Sequence, residues 1–347
     1  MKKLNSIEYV NHLKIVNKKV YYVNSKSKEL NVIKADLKPQ TLANIEVDNF
    51  IIQSNSIVFQ SDNTIYRLKD NSYYEIVKKD KLNYLGLQNY LFNNKVIIAL
   101  TKVNDWQAYA MLLITENDKI EKIGYLFYPE IYSNNYYFNH STKTVFSYTI
   151  SHKEVWKKDI TNFGRNIAKD PKTGVVLWDK PNEIKEALLA DDKNIYVPLT
   201  GGQLLALDAK TGEKVWIFDN EKLGKYQILD DKIYKGDGKS IIVFDKNNLK
   251  IEKELYFKDV PILKNYIPAG PFLVFDDIII STDVIYAKIC LLNRQTLEVE
   301  EFFSVDEILE KSLVNSNDAI IWNNNKLYVL DVSRTLHIFE KQKNTIA

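Results

Sequence analysis

Three adjacent pairs of acids, Asp191-Asp192, Asp230-Asp231 and Asp276-Asp277, are the residues whose types and spacing could most readily do chemistry. Neighbouring carboxylates can pass a proton or hold a divalent cation. Each pair, however, stands just before a short strand-like run, as in Asp191-Asp192-Lys193-Asn194-Ile195-Tyr196-Val197 and Asp230-Asp231-Lys232-Ile233-Tyr234. A position that recurs before a strand has a local role as a chain reversal, so the pairs read as turns. Gly236-Asp237-Gly238-Lys239-Ser240 ends like a phosphate loop, but Ile233 occupies the place of that loop's first glycine, and no helical pattern follows. It too reads as a hairpin turn. His12, His140, His152 and His337 are scattered without metal-ligand spacing, and nothing beyond residue type suggests a Ser-His-Asp arrangement. Cys290 is the sole cysteine and lies in an alternating strand-like segment, so it reads as a small buried hydrophobe with no intramolecular disulfide. No catalytic residue, metal or cofactor is expected.

The elements that position these residues come from an internal repeat. Residues 168–178 and 206–216 both fit A-x-D-x-x-T-G-x-x-x-W, with Asp170, Thr173, Gly174 and Trp178 in the first copy and Asp208, Thr211, Gly212 and Trp216 in the second. The pattern specifies a hairpin: the aspartate caps the turn, glycine supplies a positive φ, and tryptophan lies on the returning strand. Degenerate copies begin at Asp245, Asn293 and Asp36. Polar residues closing a third strand recur at Asp36, Asp70, Glu116, Asp170, Asp208, Asp245, Asn293 and Glu340, about 34 to 54 residues apart, the length of a four-stranded propeller blade. The expectation is an all-β chain, one β-propeller domain over 1–347, with four-stranded antiparallel blades. Eight blades are favoured and seven are the alternative. Glu340 has too little chain after it for a fourth strand, whereas the strand-like start Ser6-Ile7-Glu8-Tyr9-Val10 precedes a complete first unit. The N-terminal strand is therefore expected to close the ring and remove its open edge.

Composition narrows the function classes. The chain has 347 residues, 45% hydrophobic and 12% aromatic, which suits a large strand-rich core. Lys+Arg 47 against Asp+Glu 45 leaves +2, which gives no reason to expect a nucleic-acid partner. No stretch is long and apolar enough to span a membrane as a helix. Lys2 and Lys3 are not followed by the apolar run of a signal peptide, so a cytoplasmic location is expected.

The two A-x-D-x-x-T-G-x-x-x-W copies resemble the repeat of PQQ-like β-propellers, a family that includes quinoprotein alcohol dehydrogenases and an eight-bladed outer-membrane assembly lipoprotein. The resemblance implies a propeller fold. It does not carry the dehydrogenase cofactor site, since that site's adjacent cysteine pair cannot be formed by Cys290 alone.

Where the units run longest, binding is expected. Trp106 and Tyr109 lie in one long unit, and Trp156, Phe163 and Arg165 in the next. The expectation is two insertions between second and third strands on neighbouring blades, forming one protein-contact patch rich in residues that anchor interfaces. Trp178 and Trp216 are assigned instead to packing between blades. The leading reading is a non-enzymatic protein-binding propeller of unspecified oligomeric state, more sharply a bacterial immunity protein that neutralises a toxin. The alternatives are a general scaffold or assembly factor, and an enzyme using the central channel.

Overall fold

The computed structural model describes residues 1–16, 18–53, 56–62, 64–69, 72–78, 91–92, 95–104, 107–114, 119–126, 131–133, 136–149, 153–185, 188–218, 224–305 and 312–342. Among them the structure is almost wholly β. After β1 (Lys2–Ile7), sheet I contains β2 (Val10–Val16), β3 (Lys19–Asn24), β4 (Leu30–Ile33) and β5 (Pro39–Ala43). Sheet II contains β6 (Asn49–Gln53), β7 (Ser56–Ser61), β8 (Thr64–Lys69) and β9 (Ser72–Lys78). Sheet III contains β10 (Leu91–Phe92), β11 (Lys95–Asn104), β12 (Gln107–Ile114) and β13 (Lys119–Leu126). Sheet IV contains β14 (Ile131–Ser133), β15 (Tyr136–His140), β16 (Thr144–Thr149) and β17 (Glu154–Asp159). A separate hairpin follows, β18 (Arg165–Lys169) with β19 (Val176–Pro181).

Sheet V resumes the pattern with β20 (Leu189–Ala190), β21 (Asn194–Pro198), β22 (Leu204–Asp208) and β23 (Lys214–Phe218). Sheet VI contains β24 (Lys225–Leu229), β25 (Lys232–Gly236), β26 (Ser240–Asp245) and β27 (Ile251–Tyr256). Sheet VII contains β28 (Phe272–Val274), β29 (Ile278–Asp283), β30 (Lys288–Asn293) and β31 (Val299–Ser304). Sheet VIII contains β32 (Ile320–Asn323), β33 (Lys326–Leu330) and β34 (Leu336–Glu340), and its fourth strand is β1. Strands are hydrogen-bonded in chain order within sheets I–VII, as in consecutive hairpins.

The middle strands explain why the chain reads as short apolar runs. In β4, β22 and β29 consecutive residues are buried whichever face they point to, because other apolar side chains cover both faces. Ile278, Ile280, Leu291 and Leu327 share one cluster, and Val197, Leu205 and Leu207 another. The fourth strands are less buried: β27 is largely exposed, and β31 is half-buried along its length. A register shift marks the pairing of third with fourth strands in sheets I, II and IV–VII, a bulge repeated with the repeat.

The expected role of the N-terminal strand in the last sheet is observed. β1 pairs antiparallel with β34, Ile7 opposite Leu336 and Lys2 opposite Glu340. The Met1 ammonium reaches the Glu301 carboxylate at 2.8 Å. Contacts within the chain group it into two compact units, one of Met1–Lys102, Tyr109–Lys122 and Val260–Ala347, the other of Val103–Ala108 and Ile123–Asp259.

The fourth unit differs from its expected layout. Asp170 does not close the third strand of a four-stranded sheet. That place belongs to Thr149, whose hydroxyl accepts the Lys153 N–H at 3.1 Å, while Asp170 turns the two-stranded hairpin β18–β19. Accordingly Trp156 is not on an insertion but on β17, the outer strand of sheet IV. A threonine turn in place of an aspartate hid that boundary.

Candidate protein-contact site

The two full copies of the repeat make the same turn. Asp170 Oδ1 accepts the N–H groups of Lys172 and Thr173 at 2.8 and 2.7 Å, and Asp208 Oδ1 those of Lys210 and Thr211 at 3.0 and 2.7 Å. Gly174 and Gly212 sit at φ +72° and +70°, each donating its N–H to the carbonyl of its aspartate. The Asp170 carboxyl is held below the usual carboxylate range by the Thr173 and Lys172 N–H groups. For Asp208, slight burial opposes the same shift and is outweighed by the Thr211 and Lys210 donors. In the degenerate copies Asp245 and Asn293 accept the same pair of N–H bonds, and Leu249 and Leu297 occupy the glycine's place at φ 60° and 62°.

Identical turns lead to opposite surroundings. Trp216 is half-buried against Tyr196, with ring centroids 5.7 Å apart. Trp178, expected to pack between blades as Trp216 does, is instead 46% exposed, and all six residues of its strand β19 are exposed with it. Its indole Nε1 donates to Asn166 Oδ1 at 3.3 Å, and the Lys180 ammonium lies over its ring. Beside it Ile167, Val175, Val176 and Leu177 are each at least half exposed, Val175 at 60%. Five large apolar side chains are thus exposed to water on one hairpin, a concentration of the kind that marks a contact site.

The base of this hairpin is rigid. The Asn182 side chain is fully buried; its Nδ2 donates to the Phe163 carbonyl at 2.8 Å and to Gln203 Oε1 at 3.0 Å, while its Oδ1 accepts the Gly201 N–H at 2.9 Å. Gln203 Nε2 turns to the Arg165 carbonyl at 3.5 Å. Gly201 is required here, since a Cβ would come within 2.6 Å of that carbonyl and 2.8 Å of Asn182 Oδ1. Asn182 and Gln203 thus clamp both ends of the hairpin to sheet V, a buried and satisfied polar network. The sequence reading missed both residues; the Gly201-Gly202 pair beside Gln203 is the one local hint of a close backbone approach.

The expected patch residues are distributed as follows. Trp106 lies outside the described residues, and Tyr109 is placed only as a backbone position on β12. Trp156 is half-buried: it donates Nε1–H to the Ala209 carbonyl at 3.2 Å, stands 5.8 Å from the Phe138 ring, and covers Gly212. Phe163 packs against the same cluster under the Lys158 ammonium. Arg165 opens β18 and pairs with Asp179 at 2.5 Å on the hairpin's surface. Of the expected patch, Arg165 alone stands on the exposed hairpin.

The acid pairs are turns, as read. Asp191 Oδ1 accepts the Lys193 and Asn194 N–H groups, and Oδ2 accepts the Tyr196 hydroxyl and the Lys246 ammonium at 2.5 and 2.9 Å. Burial would raise its carboxyl, but these donors hold it below the ordinary value. Asp277 accepts the Trp322 Nε1–H at 3.0 Å, tying sheet VIII to sheet VII. Asp237 caps the Gly-Lys-Ser turn through the Lys239 and Ser240 N–H groups. Cys290 is buried and its thiol is pushed up to about 12. One association was not anticipated: buried His337 bonds Asp331 at 3.0 Å through Nε2 and faces the Ser6 hydroxyl at 3.4 Å through Nδ1. Asp331 also caps its own turn through the Thr335 N–H, and the trio bridges β1 to β34. Among the described residues, no group of three or more His, Cys, Asp or Glu is arranged to hold a metal ion.

One of the comparisons with known proteins, the family model, falls on the same stretch. The family model of the outer membrane protein assembly factor BamB matches residues 142–249. BamB of Kangiella koreensis is 42% identical over 53 residues, a match that spans 15% of this chain and 14% of that protein. Among solved structures, BamB of Moraxella catarrhalis has a TM-score of 0.60 at 13% identity, covering 97% of this chain and 99% of its own. The computationally designed Ika8 protein matches with a TM-score of 0.60 at 13% identity over 98% and 100%. Sqt1 of Saccharomyces cerevisiae matches with 0.60 at 9% identity over 99% of each chain. At these identities the structures establish the fold class expected from the repeat, an all-β propeller. Residues 142–249, with both copies of the A-x-D-x-x-T-G-x-x-x-W pattern, belong to the PQQ-like β-propeller repeat family.

Proposed function

We propose that this chain is a non-catalytic protein-binding propeller of the assembly-factor kind, and that the β18–β19 hairpin is its contact element. The observation that carries the reading is the exposure of Ile167, Val175, Val176, Leu177 and Trp178 on a hairpin whose base is locked by Asn182 and Gln203. A rigid, preformed apolar element costs little ordering on binding. The family match to an assembly factor supports this reading over toxin neutralisation, for which no feature of the hairpin speaks.

The charges specify the partner's chemistry. Between residues 165 and 181 four basic side chains stand against two acidic ones. Of the acids, Asp170 caps the turn and Asp179 pairs with Arg165, which leaves Lys169, Lys172 and Lys180 to set the field. The partner is therefore a protein surface with an apolar centre and an acidic rim.

A photo-crosslinking residue at position 177 should capture a partner that the same residue at position 332, an exposed site on another unit, does not. With that partner purified, Trp178→Ala and Leu177→Asp should each weaken binding about ten- to a hundredfold while leaving the unfolding midpoint unchanged. Equal affinity of both variants and the parent would overturn the assignment of the hairpin.

A further inference from the structure

A second site stands apart from the hairpin, in the unit that contains both chain ends. Between sheets I and VIII lies a cleft of about 460 Å³, a volume that suits one small organic molecule. Its floor is apolar: Val20, Ile33 and Tyr328 belong to one buried cluster, and Leu37 packs against it. Two amides fasten one sheet to the other. Asn323 Nδ2 donates to the Lys18 carbonyl at 3.0 Å, and Asn5 Nδ2, on β1, to the Leu37 carbonyl at 3.1 Å. The cleft is therefore preformed, and filling it orders little chain.

The lining carries four cations, Lys18, Lys19, Lys34 and Lys326, and among the described residues no aspartate or glutamate. Lys326 is paired with Glu340 at 3.4 Å. Lys18, Lys19 and Lys34 are exposed and have no carboxylate partner among the described residues. Charge of one sign around an apolar cleft concentrates counter-ions there. Tyr328 adds a directional donor. Its side chain is only 5% exposed, yet its hydroxyl makes no hydrogen bond among the described residues. The one fully enclosed side-chain polar atom without a partner among them is Ser147 Oγ, so the Tyr328 hydroxyl keeps access to solvent, and the cleft that Tyr328 lines supplies it. Burial pushes this phenol up from its ordinary value, so it stays protonated as a donor.

A phosphate monoester matches this set. Near neutral pH it carries a charge of about −1.5 to −2 and three strong acceptor oxygens, enough to engage several ammonium groups and a phenol at once. A carboxylate brings one charge and two oxygens. We infer that this cleft is a binding site for a small organic phosphate monoester, whose phosphoryl group is held by Lys18, Lys19, Lys34 and the Tyr328 hydroxyl and whose organic body covers Ile33 and Leu37. The assignment is independent of the hairpin, which belongs to the other unit.

The test uses the full chain and phenyl phosphate in isothermal titration, with benzoate and phenol as singly charged and neutral controls. Phenyl phosphate should bind saturably at one site, benzoate about tenfold more weakly and phenol about a hundredfold more weakly. Lys18→Gln combined with Lys34→Gln should weaken phenyl phosphate about ten- to a hundredfold, whereas Lys253→Gln, at an exposed lysine of the other unit, should leave it unchanged. Tyr328→Phe keeps the buried ring and removes the donor; it should weaken phenyl phosphate about five- to tenfold. A further measurement needs no variant: phenyl phosphate should protect Lys18, Lys19 and Lys34, but not Lys253, from acylation by an amine-reactive ester, read by peptide mass spectrometry. Absence of saturable phenyl phosphate binding, equal affinity for phenyl phosphate and benzoate, unchanged affinity in the double lysine or the tyrosine variant, or acylation of the three lysines that phenyl phosphate leaves unchanged would overturn the inference.

Discussion

The two glycines of the repeat offer a controlled comparison, because the same substitution meets the same backbone and different neighbours. Gly174→Ala and Gly212→Ala both place an L-residue at φ near +70°. That conformation costs about 1–2 kcal/mol, and Leu249 and Leu297 show that the equivalent turn accepts it. Beyond this the positions diverge. At Gly174 an added Cβ meets nothing within 4 Å; at Gly212 it falls 2.5 Å from Trp156 Cδ2 and 2.7 Å from Cε3. The indole has little room to retreat, since Nε1 is bonded to the Ala209 carbonyl and Phe138 lies against the ring. Overpacking of this sort adds about 1–3 kcal/mol. Gly212→Ala should therefore destabilise its unit by about 2–5 kcal/mol, and Gly174→Ala by about 1–2 kcal/mol, confined to the hairpin. Urea unfolding followed by tryptophan emission gives the first quantity, and amide exchange resolved to β18–β19 gives the second. Replacing Trp156 by Leu in the Gly212→Ala background should recover about 1 kcal/mol or more as a favourable coupling. Equal losses in the two glycine variants, or zero coupling to Trp156, would refute the argument that the ring dictates glycine at 212.

Two further outcomes follow from the titrating groups. Asp191 and Asp208 have carboxyls held below their ordinary value, so their contribution is present above the unfolded carboxylate range and is lost as pH falls through the folded value. The urea midpoint should accordingly drop below about pH 4. Asp208→Asn should reduce that dependence at a cost under about 1 kcal/mol at pH 7, because Asn293 already makes the same two turn bonds. Cys290, buried and with its thiol pushed up to about 12, should resist a thiol-reactive disulfide reagent at pH 8 in the folded chain and react stoichiometrically in urea; rapid labelling of the folded chain would show that β30 opens.

What could be read before any coordinates was what is local. An aspartate that bonds two following N–H groups, and a glycine at positive φ, are determined within five residues, so the turns at Asp208, Asp245 and Asn293 were legible, as were the diacidic turns. The same locality explains the misplacement of Asp170. Its motif encodes a bulged hairpin and nothing about whether two more strands stand beside it, a fact decided by residues far along the chain. Trp156 was misjudged for the same reason: its partners Ala209 and Gly212 lie more than fifty positions away. The clamp of Asn182 and Gln203 left almost no trace, since a buried amide is indistinguishable in sequence from an exposed one.

The pairing of β1 with β34 also has a consequence for how the chain is made. Ser6 and His337 are 331 positions apart, and at ribosomal speeds the first strand emerges roughly 15 to 70 s before its partner exists. Through that interval Lys2–Ile7 must wait without a sheet. Its sequence suits the delay: Lys2, Lys3, Asn5 and Ser6 keep it hydrated, and Leu4 and Ile7 are its only large apolar side chains after Met1. A strand with so little apolar surface can stay loose in water for that time, so completion of sheet VIII is set by the order of synthesis as much as by the strength of the contacts that finish it.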